Sequence, residues 1–401
     1  MTVITPAGPL TAEDEVRNRI ERLLDEHPPA ATPRQEFLGA QYDLGLAWVH
    51  FPEGFGGLGL SPKLQKVVNE TLAAAGAPSP YARNPIGYGM GAPTIVTHGS
   101  DEQKTRYLRP LFTGEEVWCQ LFSEPGAGSD VASLATRAVR DGEEWIVNGQ
   151  KVWTTVAHIS RWGMLIARTD PEQPKHKGMT YFVVDMHAPG VEVKPLFQIT
   201  GEAEFNEVFF TDVRIPDSER LGDVGEGWRV SLTTLMNERV AIGGTITPRG
   251  GGWIGEVVKI WKAKAHTDRA RRDELMRLWV RAEVLRLTNI RAQQLRSIGN
   301  PGPEGSIGKM ASAELNKDLS SFAVDLLGAD GMLFPGGYPM TRPKHTALWA
   351  SAPQAFLRSR ANSIEGGTSE IMRNILGERV LGLPGDVRTD KEPPWSKVPR
   401  S

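Results

Sequence analysis

The stretch EWIVNGQKVWTT, residues 144–155, decides the fold class of the region around it. Its apolar and polar side chains alternate with a period of two residues, which is typical of a half-buried β-strand. Asn148-Gly149 stands in the middle, and this dipeptide between alternating runs is the strongest short signal for a hairpin turn. We therefore predict a strand, a turn at Asn148-Gly149 and a second strand.

The two-residue period continues on both sides of this stretch, from Val117 to about Gly222. Further strands are predicted at 164–168, 179–186 and 205–215, with frequent turns between them. The region is thus an all-β block.

Helical periodicity flanks the β block on both sides. Thr11 with Asp14 predicts the N-cap of a first helix, and the helical period persists to about residue 118. After Gly227 it returns as one apolar stripe, formed by Leu275, Leu278, Ala282, Leu285, Ala292 and Leu295. The predicted order of secondary structure along the chain is therefore helical, then β, then helical.

The textures predict an α+β multidomain chain with three domains. They are an N-terminal α-helical domain over residues 1–118, a central β domain over 119–226 and a C-terminal helical domain over 227–385. Residues 386–401 hold several prolines and alternating charges, so we expect a loose tail there.

Composition excludes several classes of protein. The 401 residues carry 46 Lys+Arg against 48 Asp+Glu, so no overall basic field attracts nucleic acid. Cys119 is the only cysteine, which excludes a disulfide within the chain and fits a reducing compartment. The sequence has neither a secretory pattern at its start nor an apolar stretch long enough for a membrane span, so we expect a cytoplasmic protein.

One motif match points to chemistry that the surrounding sequence does not support, and metal-ligand spacing is absent. Gly54-Phe-Gly-Gly-Leu-Gly59 has the G-x-G-x-x-G spacing, but neither a βαβ unit nor an acidic residue about 20 positions later accompanies it. We interpret it as a glycine-rich turn between helices. The eight histidines show no metal-ligand spacing, so no metal is expected.

Residues 123–130, Ser-Glu-Pro-Gly-Ala-Gly-Ser-Asp, join the helical stretch to the β block. Their small side chains allow backbone N–H groups and hydroxyls to approach a polar ligand closely, although a tight connecting loop has the same composition. Trp153, with two hydroxyl residues after it, can be a core residue or can line an aromatic cofactor.

Three segments together resemble signatures of the acyl-CoA dehydrogenase family, in the right order along the chain. They are residues 122–130 (FSEPGAGSD), 148–153 (NGQKVW) and 365–371 (EGGTSEI), and residues 51–57 (FPEGFGG) resemble the family's N-terminal turn. The resemblance covers about residues 11–385. It implies a helical N-domain, a β-barrel-like domain and a helical bundle, with FAD between the last two.

The resemblance also implies which residues meet the cofactor and the substrate. The residues expected to contact FAD are Phe122, Ser123, Ser129, Trp153, Thr155, Gly367, Thr368 and Glu370. Those expected at the acyl-CoA thioester are Ser129, Asn237, Arg239 and Gly366.

The catalytic base is expected at Glu238. Removal of an α-proton from a thioester needs a carboxylate in a dry site. Many family members place it directly before Gly-Thr-Ser, but this chain has Gly366 there, and Glu365 is one residue off. A minority place it as Glu followed by Arg on an earlier helix, which Glu238-Arg239 resembles. Arg239 is expected to orient neighbours or a ligand carboxylate or phosphate.

Two departures from the family pattern concern the assembly. Residues 325–331 (DLLGADG) occupy the place of a Gln-x-x-Gly-Gly-x-Gly segment, and the Arg-x-x-Phe-Gly element is not recognisable between Gly250 and Arg272. A homo- or hetero-oligomer, dimer or tetramer, is expected, and the departures leave open whether subunits share FAD.

The leading interpretation is α,β-dehydrogenation of an acyl-CoA by FAD, with electrons passed to an electron-transfer flavoprotein. An acyl-CoA oxidase and a non-catalytic subunit of a heteromeric dehydrogenase remain as alternatives. Small residues over 87–92 permit a roomy pocket for a ring-bearing substrate, but they do not define the acyl group.

Overall fold

The computed structural model describes residues 11–243, 246–265, 267–296, 305–334 and 351–398, without the side chains of 239–243 and 295–296. Helical regions flank one β-sheet, which confirms the predicted α+β architecture. Among these residues no helix has both the length and the hydropathy needed to cross a membrane.

Five helices build the N-terminal region. Thr11 caps the first of them: its Oγ1 accepts from the N–H of Asp14 (3.1 Å) while its own N–H donates to the Asp14 carboxylate (3.0 Å), as the sequence predicts. The helices are α1 (Ala12–Glu26), α2 (Arg34–Asp43), α3 (Gln65–Ala74), α4 (Ala92–His98) and α5 (Asp101–Thr113). A π-helix, Gly87–Gly91, leads directly into α4, and the glycine-rich residues 54–59 lie in the turn between α2 and α3.

Eight strands form one mostly antiparallel sheet. They are β1 (Trp118–Leu121), β2 (Arg137–Asp141), β3 (Glu144–Lys151), β4 (Trp162–Arg168), β5 (Met179–Asp185), β6 (Val191–Leu196), β7 (Phe205–Pro216) and β8 (Arg220–Leu221). Their order is β6-β7-β3-β2-β4-β5-β8, and β1 pairs with β4 in parallel. β4 is buried along its whole length, so the sheet has a core on both of its faces.

The predicted hairpin at Asn148-Gly149 is wrong. β3 runs straight through this dipeptide, and its register against β7 shifts between Val147 and Gly149, which is a β-bulge. A Cβ on Gly149 would lie 2.7 Å from Thr136 Cα, so glycine is required by close backbone approach. The tight turn instead lies between β2 and β3, where Gly142 has a φ of +63°.

In the described part of the C-terminal region, six helices are arranged around the long α9. They are α6 (Gly227–Gly243), α7 (Trp253–Lys264), α8 (Arg269–Arg296), α9 (Gly305–Leu327), α10 (Ala352–Ser359) and α11 (Ser369–Arg379). α9 packs against all five others, and its Leu319 and Phe322 are buried with Val257 of α7 and Leu275 of α8.

The prediction of a loose tail needs correction for residues 390–398. The Trp395 side chain is buried, the backbone N–H of Trp395 donates to Gln173 O (2.9 Å), and the N–H of Ser396 donates to Pro171 O (2.9 Å). One tryptophan has enough apolar surface to fasten a short segment. Residues 399–401 lie outside the described part of the chain.

Candidate functional site

The first two motifs lie side by side where β1 and β3 end. The N–H of Val152 donates to Ser123 O (2.9 Å), and Lys151 Nζ donates to Phe122 O (3.1 Å). These bonds bring Trp153 next to the loop formed by residues 123–130, which we call the cofactor loop.

A buried ion pair anchors the start of the cofactor loop. Lys151 Nζ lies 2.7 Å from Glu124 Oε1, and both side chains are nearly inaccessible to solvent. The Glu124 carboxylate also accepts from the N–H groups of Ala135 (2.6 Å) and Thr136 (2.9 Å). Burial by itself would raise the pKa of Glu124, but Lys151 and these donors outweigh it and lower that pKa. Neither residue of this pair was predicted as a site residue, although each stands inside a quoted motif.

The outer part of the cofactor loop is open. A Cβ on Gly126 or Gly128 would have no heavy atom within 4 Å, and Ser129 is exposed. The loop therefore offers backbone and a hydroxyl to a ligand, as its composition predicts.

Trp153 is exposed and its backbone is strained. Its φ is +61°, and 58% of its surface is accessible, with one edge against Phe205 at 5.8 Å between ring centroids. A left-handed φ is uncommon for a bulky residue and costs free energy. Val156, three residues later, has a φ of +54°. The strained backbone holds the indole ring of Trp153 exposed to solvent. This is expected of a site where a flat ligand covers the ring. Thr155, which is half-buried, lies in the same turn.

Arg358 of α10 connects this turn to the third motif. Its guanidinium donates to both carboxylate oxygens of Glu365 (3.1 and 2.8 Å), and its Nε lies 3.6 Å from Glu204. It also lies 5.9 Å from the ring of Phe205, which contacts Trp153. The segment 365–371 therefore belongs to the same site as Trp153.

Glu365 is committed to structural contacts. Besides the two bonds from Arg358, its carboxylate accepts from Asn362 Nδ2 at 2.7 Å. A carboxylate held in a bidentate pair is poorly suited to accept a proton from carbon. This geometry argues against Glu365 as the base.

Gly366 and Gly367 have left-handed backbones, with φ of +65° and +94°. A Cβ on Gly367 would lie 2.5 Å from Met372 Cε. Next to them, Thr368 is the N-cap of α11, because its Oγ1 accepts from the N–H of Ile371 (3.1 Å). Glu370 is exposed and pairs with Arg373. Their contacts with a cofactor stay predictions.

Glu238 lies in α6, half-buried, between β1 and α9. Gln120 Nε2 of β1 is 3.5 Å from its Oε2, which is a long contact. The buried ammonium of Lys309 of α9 interacts electrostatically with Glu238 and donates to the carbonyl oxygens of Asn362 and Gly367. Burial lowers the pKa of Lys309, against the pull of neighbouring carboxylates.

Glu238 and the turn at Gly366-Gly367 therefore both interact with the Lys309 ammonium. The sequence analysis missed Lys309 and Gln120, because nothing in their local sequence distinguishes them from ordinary helix and strand residues.

Two predicted contact residues have neighbours within the protein. Phe122 is buried edge-on against Tyr181, at 5.9 Å between ring centroids. Asn237 Nδ2 donates to Thr233 O of its own helix (2.9 Å). Their roles toward ligands stay predictions, and the side chain of Arg239 lies outside the described residues.

The small residues over 87–91 pack against the helix that carries Glu238. The π-helix and α4 both contact α6, where Thr94 Oγ1 lies 2.9 Å from Thr234 Oγ1. This is where the sequence places the floor of a substrate pocket.

Comparison with known proteins gives the family. Models of the N-terminal, middle and C-terminal domains of acyl-CoA dehydrogenases match residues 10–115, 119–213 and 225–381. The chain belongs to the acyl-CoA dehydrogenase family. It is thus an FAD-dependent oxidoreductase, and the resemblance stated from the sequence is confirmed.

Two curated relatives are from Mycobacterium tuberculosis. Acyl-CoA dehydrogenase FadE34 is 42% identical over 357 residues, which are 88% of this chain and 47% of that protein. The chain thus spans about half the length of this relative. Acyl-CoA dehydrogenase IpdE1 is 38% identical over 347 residues and 86% of both chains.

Solved structures share the fold. The Tcur3481-Tcur3483 steroid ACAD matches with a TM-score of 0.71 and 26% identity over 96% of this chain and 100% of that one. The ChsE4-ChsE5 complex from Mycobacterium tuberculosis gives 0.69 and 26% over the same shares. A glutaryl-CoA dehydrogenase from Mycobacterium smegmatis in complex with FADH2 gives 0.65 and 21% over 94% and 97%.

The residues present fit FAD. The exposed, strained Trp153 offers a flat apolar face, the cofactor loop is open at Gly126 and Gly128, and Thr154 Oγ1 is a buried polar atom with no hydrogen-bond partner among the described residues. Among those residues no group of three His, Cys, Asp or Glu could hold a metal ion.

Proposed function

We propose that this chain catalyses the α,β-dehydrogenation of an acyl-CoA thioester, with Glu238 as the base. One observation carries the proposal. Lys309 donates to Gly367 O and lies close enough to Glu238 for their charges to interact, while Glu365, the carboxylate beside the Gly366-Gly367 turn, is held by Arg358 and Asn362.

Each group has a role in moving the proton. Glu238 takes the α-proton of the thioester. The ammonium of Lys309 favours the ionised carboxylate, the form that can accept a proton, and Gln120 orients it from β1. Gly366 has no Cβ that would hinder the approach of a ligand to its backbone N–H. This N–H would donate to the thioester oxygen, where negative charge develops. Bound FAD, held at Trp153 and the cofactor loop, supplies the acceptor for the β-hydride.

We further propose that the substrate is a bulky, ring-bearing acyl-CoA. The wall beside α6 is formed by the π-helix Gly87–Gly91, and its glycines allow this helix to pack directly against α6. A steroid ACAD is among the similar solved structures, which supports this substrate class for the chain.

We propose a second, different chain of the family as the partner. The exposed apolar residues of α8 lie three or four positions apart and therefore on one helix face; they are Met276, Val280, Val284 and Leu287. Met332 and Leu333, just after α9, are exposed as well. Apolar surface of this kind is typical of a protein–protein interface. The Tcur3481-Tcur3483 steroid ACAD and the ChsE4-ChsE5 complex are each formed from two components.

The test is anaerobic titration of the FAD-loaded protein, alone and with a co-expressed family partner, with a panel of acyl-CoAs. Butyryl-CoA, palmitoyl-CoA and a CoA ester of a steroid side-chain acid span the size range. We expect the steroid ester to bleach the flavin absorbance most completely. FAD that binds but is bleached by none of them, in either preparation, would establish the non-catalytic alternative. Rapid reoxidation by oxygen alone would indicate an oxidase.

A further inference from the structure

The segment 390–398 lies beyond the residues that match the family's C-terminal domain. The match to the family's C-terminal domain ends at residue 381, yet these later residues cross from the helical region onto the middle domain. We call them the C-terminal strap. Its backbone pairs with the loop before β5: Pro394 forms a β-bridge with Pro174, and Trp395 N donates to Gln173 O at 2.9 Å.

Trp395 contacts the chain immediately after the cofactor loop. Its indole Nε1 donates to Ser133 O at 3.3 Å, and the Arg168 guanidinium lies 4.8 Å from the ring centroid. Arg168 is itself buried and donates to Ala132 O (2.6 Å) and Lys175 O (2.7 Å). The indole thus closes a cluster that holds residues 132–134.

Lys175 connects the strap to the last residue of the cofactor loop. Its Nζ lies 2.7 Å from the Asp130 carboxylate and 2.6 Å from that of Asp390. The Lys175 side chain is 92% buried by these contacts, since 8% of it is accessible. A buried ammonium needs such partners, because its loss of hydration must be offset by ion pairs or hydrogen bonds.

The cofactor loop therefore has two anchors of different origin. Lys151 and Glu124, inside the family motifs, hold its start, whereas Lys175 and the strap hold its end. Gly126 and Gly128 lie open, where a Cβ would meet no heavy atom, while Ala127 between them is buried and paired with Glu124. The conformation of residues 128–130 therefore depends on the anchor at the end of the loop. A loop that is held in its binding conformation loses less entropy when it receives a ligand.

We propose that the C-terminal strap preorganises the cofactor loop for FAD, with Trp395 and Asp390 as positioning residues. They act on FAD through Ser133, Lys175 and Asp130 and contribute no chemistry to the reaction. The strap makes FAD affinity depend on a segment beyond the residues that match the family's C-terminal domain.

The test compares four variants of the full-length chain: Trp395→Ala, Trp395→Phe, Asp390→Asn and the control Asp386→Asn. Asp386 carries the same charge in the same tail and is exposed. FAD affinity is measured by flavin fluorescence on addition of FAD to the apoprotein. Hydrogen exchange at residues 123–134 of the apoprotein gives a second readout that needs neither FAD nor substrate.

We expect Trp395→Ala to raise the Kd for FAD about tenfold and Asp390→Asn about threefold, the range of lost cation–π and partly exposed ion-pair contacts. Exchange over residues 128–134 should speed up in both. Trp395→Phe should recover part of the affinity through its ring, and Asp386→Asn should match the wild type. If Trp395→Ala unfolds the middle domain, the comparison of Asp390→Asn with its control Asp386→Asn tests the proposal.

One pattern would overturn the proposal. In this pattern, faster hydrogen exchange at residues 390–398 of Trp395→Ala or Asp390→Asn would show that the strap is released. Hydrogen exchange at residues 123–134 and the Kd for FAD would nevertheless remain at wild-type values. The strap would then be bound to the middle domain without any effect on the cofactor loop.

Discussion

Lys151→Met removes the cation of the buried pair that anchors the cofactor loop. Lys151 has no accessible side-chain surface, and Glu124 is 8% accessible, so water cannot replace the lost ammonium. Removal of one partner from a buried pair costs about 3–5 kcal/mol. Glu124 keeps the N–H donors of Ala135 and Thr136, so we expect the lower end, about 3 kcal/mol.

The assay is urea denaturation of the flavin-free protein, with two comparisons. Lys194→Met removes a surface lysine that pairs with Glu192, both about half exposed, and should cost less than about 1 kcal/mol. Glu124→Gln added to Lys151→Met removes the orphaned charge, so the double variant should be more stable than Lys151→Met alone. A loss below about 1 kcal/mol in Lys151→Met, or strict additivity of the two changes, would refute the reasoning.

Three further perturbations test the site from other sides. Trp153→Ala removes a ring that is exposed in the flavin-free protein, so stability should hardly change while the Kd for FAD rises about three- to tenfold by fluorescence titration; an unchanged Kd contradicts a stacking role. Burial raises the pKa of Glu204 above its usual 4.5, so the folded state disfavours its ionised form and this group's contribution to stability falls as pH rises past 4.5. Glu204→Gln should therefore gain thermal stability relative to the wild type between about pH 4.5 and pH 7, and a relative loss over that range would contradict the burial argument. Gly366→Ala places a Cβ at a φ of +65° and should cost about 1–2 kcal/mol in thermal denaturation; an unchanged melting temperature would show that the turn relaxes.

The order of the domains was predictable because it depends on periodicity, which is a local property of the sequence. The helical, two-residue and helical periodicities of the sequence correspond to the three regions of the fold. The hairpin prediction failed at Asn148-Gly149 for a tertiary reason: Gly149 is needed where Thr136 approaches, within a strand that continues past it. A dipeptide typical of turns does not reveal which neighbour it has across the sheet.

The site was predictable to the extent that its residues stand in motifs. Lys309 and Gln120 stand outside them, and only the packing of α9 and β1 around α6 brings them to Glu238. Trp395 was missed because prolines and charges dominate its segment, although the buried indole contacts Ser133 and Arg168. Long-range contacts of individual side chains leave no local pattern.

The most direct test of the account compares two neighbouring carboxylates. Glu238→Gln and Glu365→Gln each replace one carboxylate by its amide, and the rate of flavin reduction by an acyl-CoA is measured anaerobically by stopped flow in FAD-loaded protein. We expect Glu238→Gln to bind FAD normally and to lose about 10²–10⁴-fold in rate. Glu365→Gln weakens the contact with Arg358 and should lower stability while it keeps reduction within about tenfold of the wild type. Reduction at the wild-type rate in Glu238→Gln, or the large loss appearing only in Glu365→Gln, would contradict the assignment of Glu238 as the base.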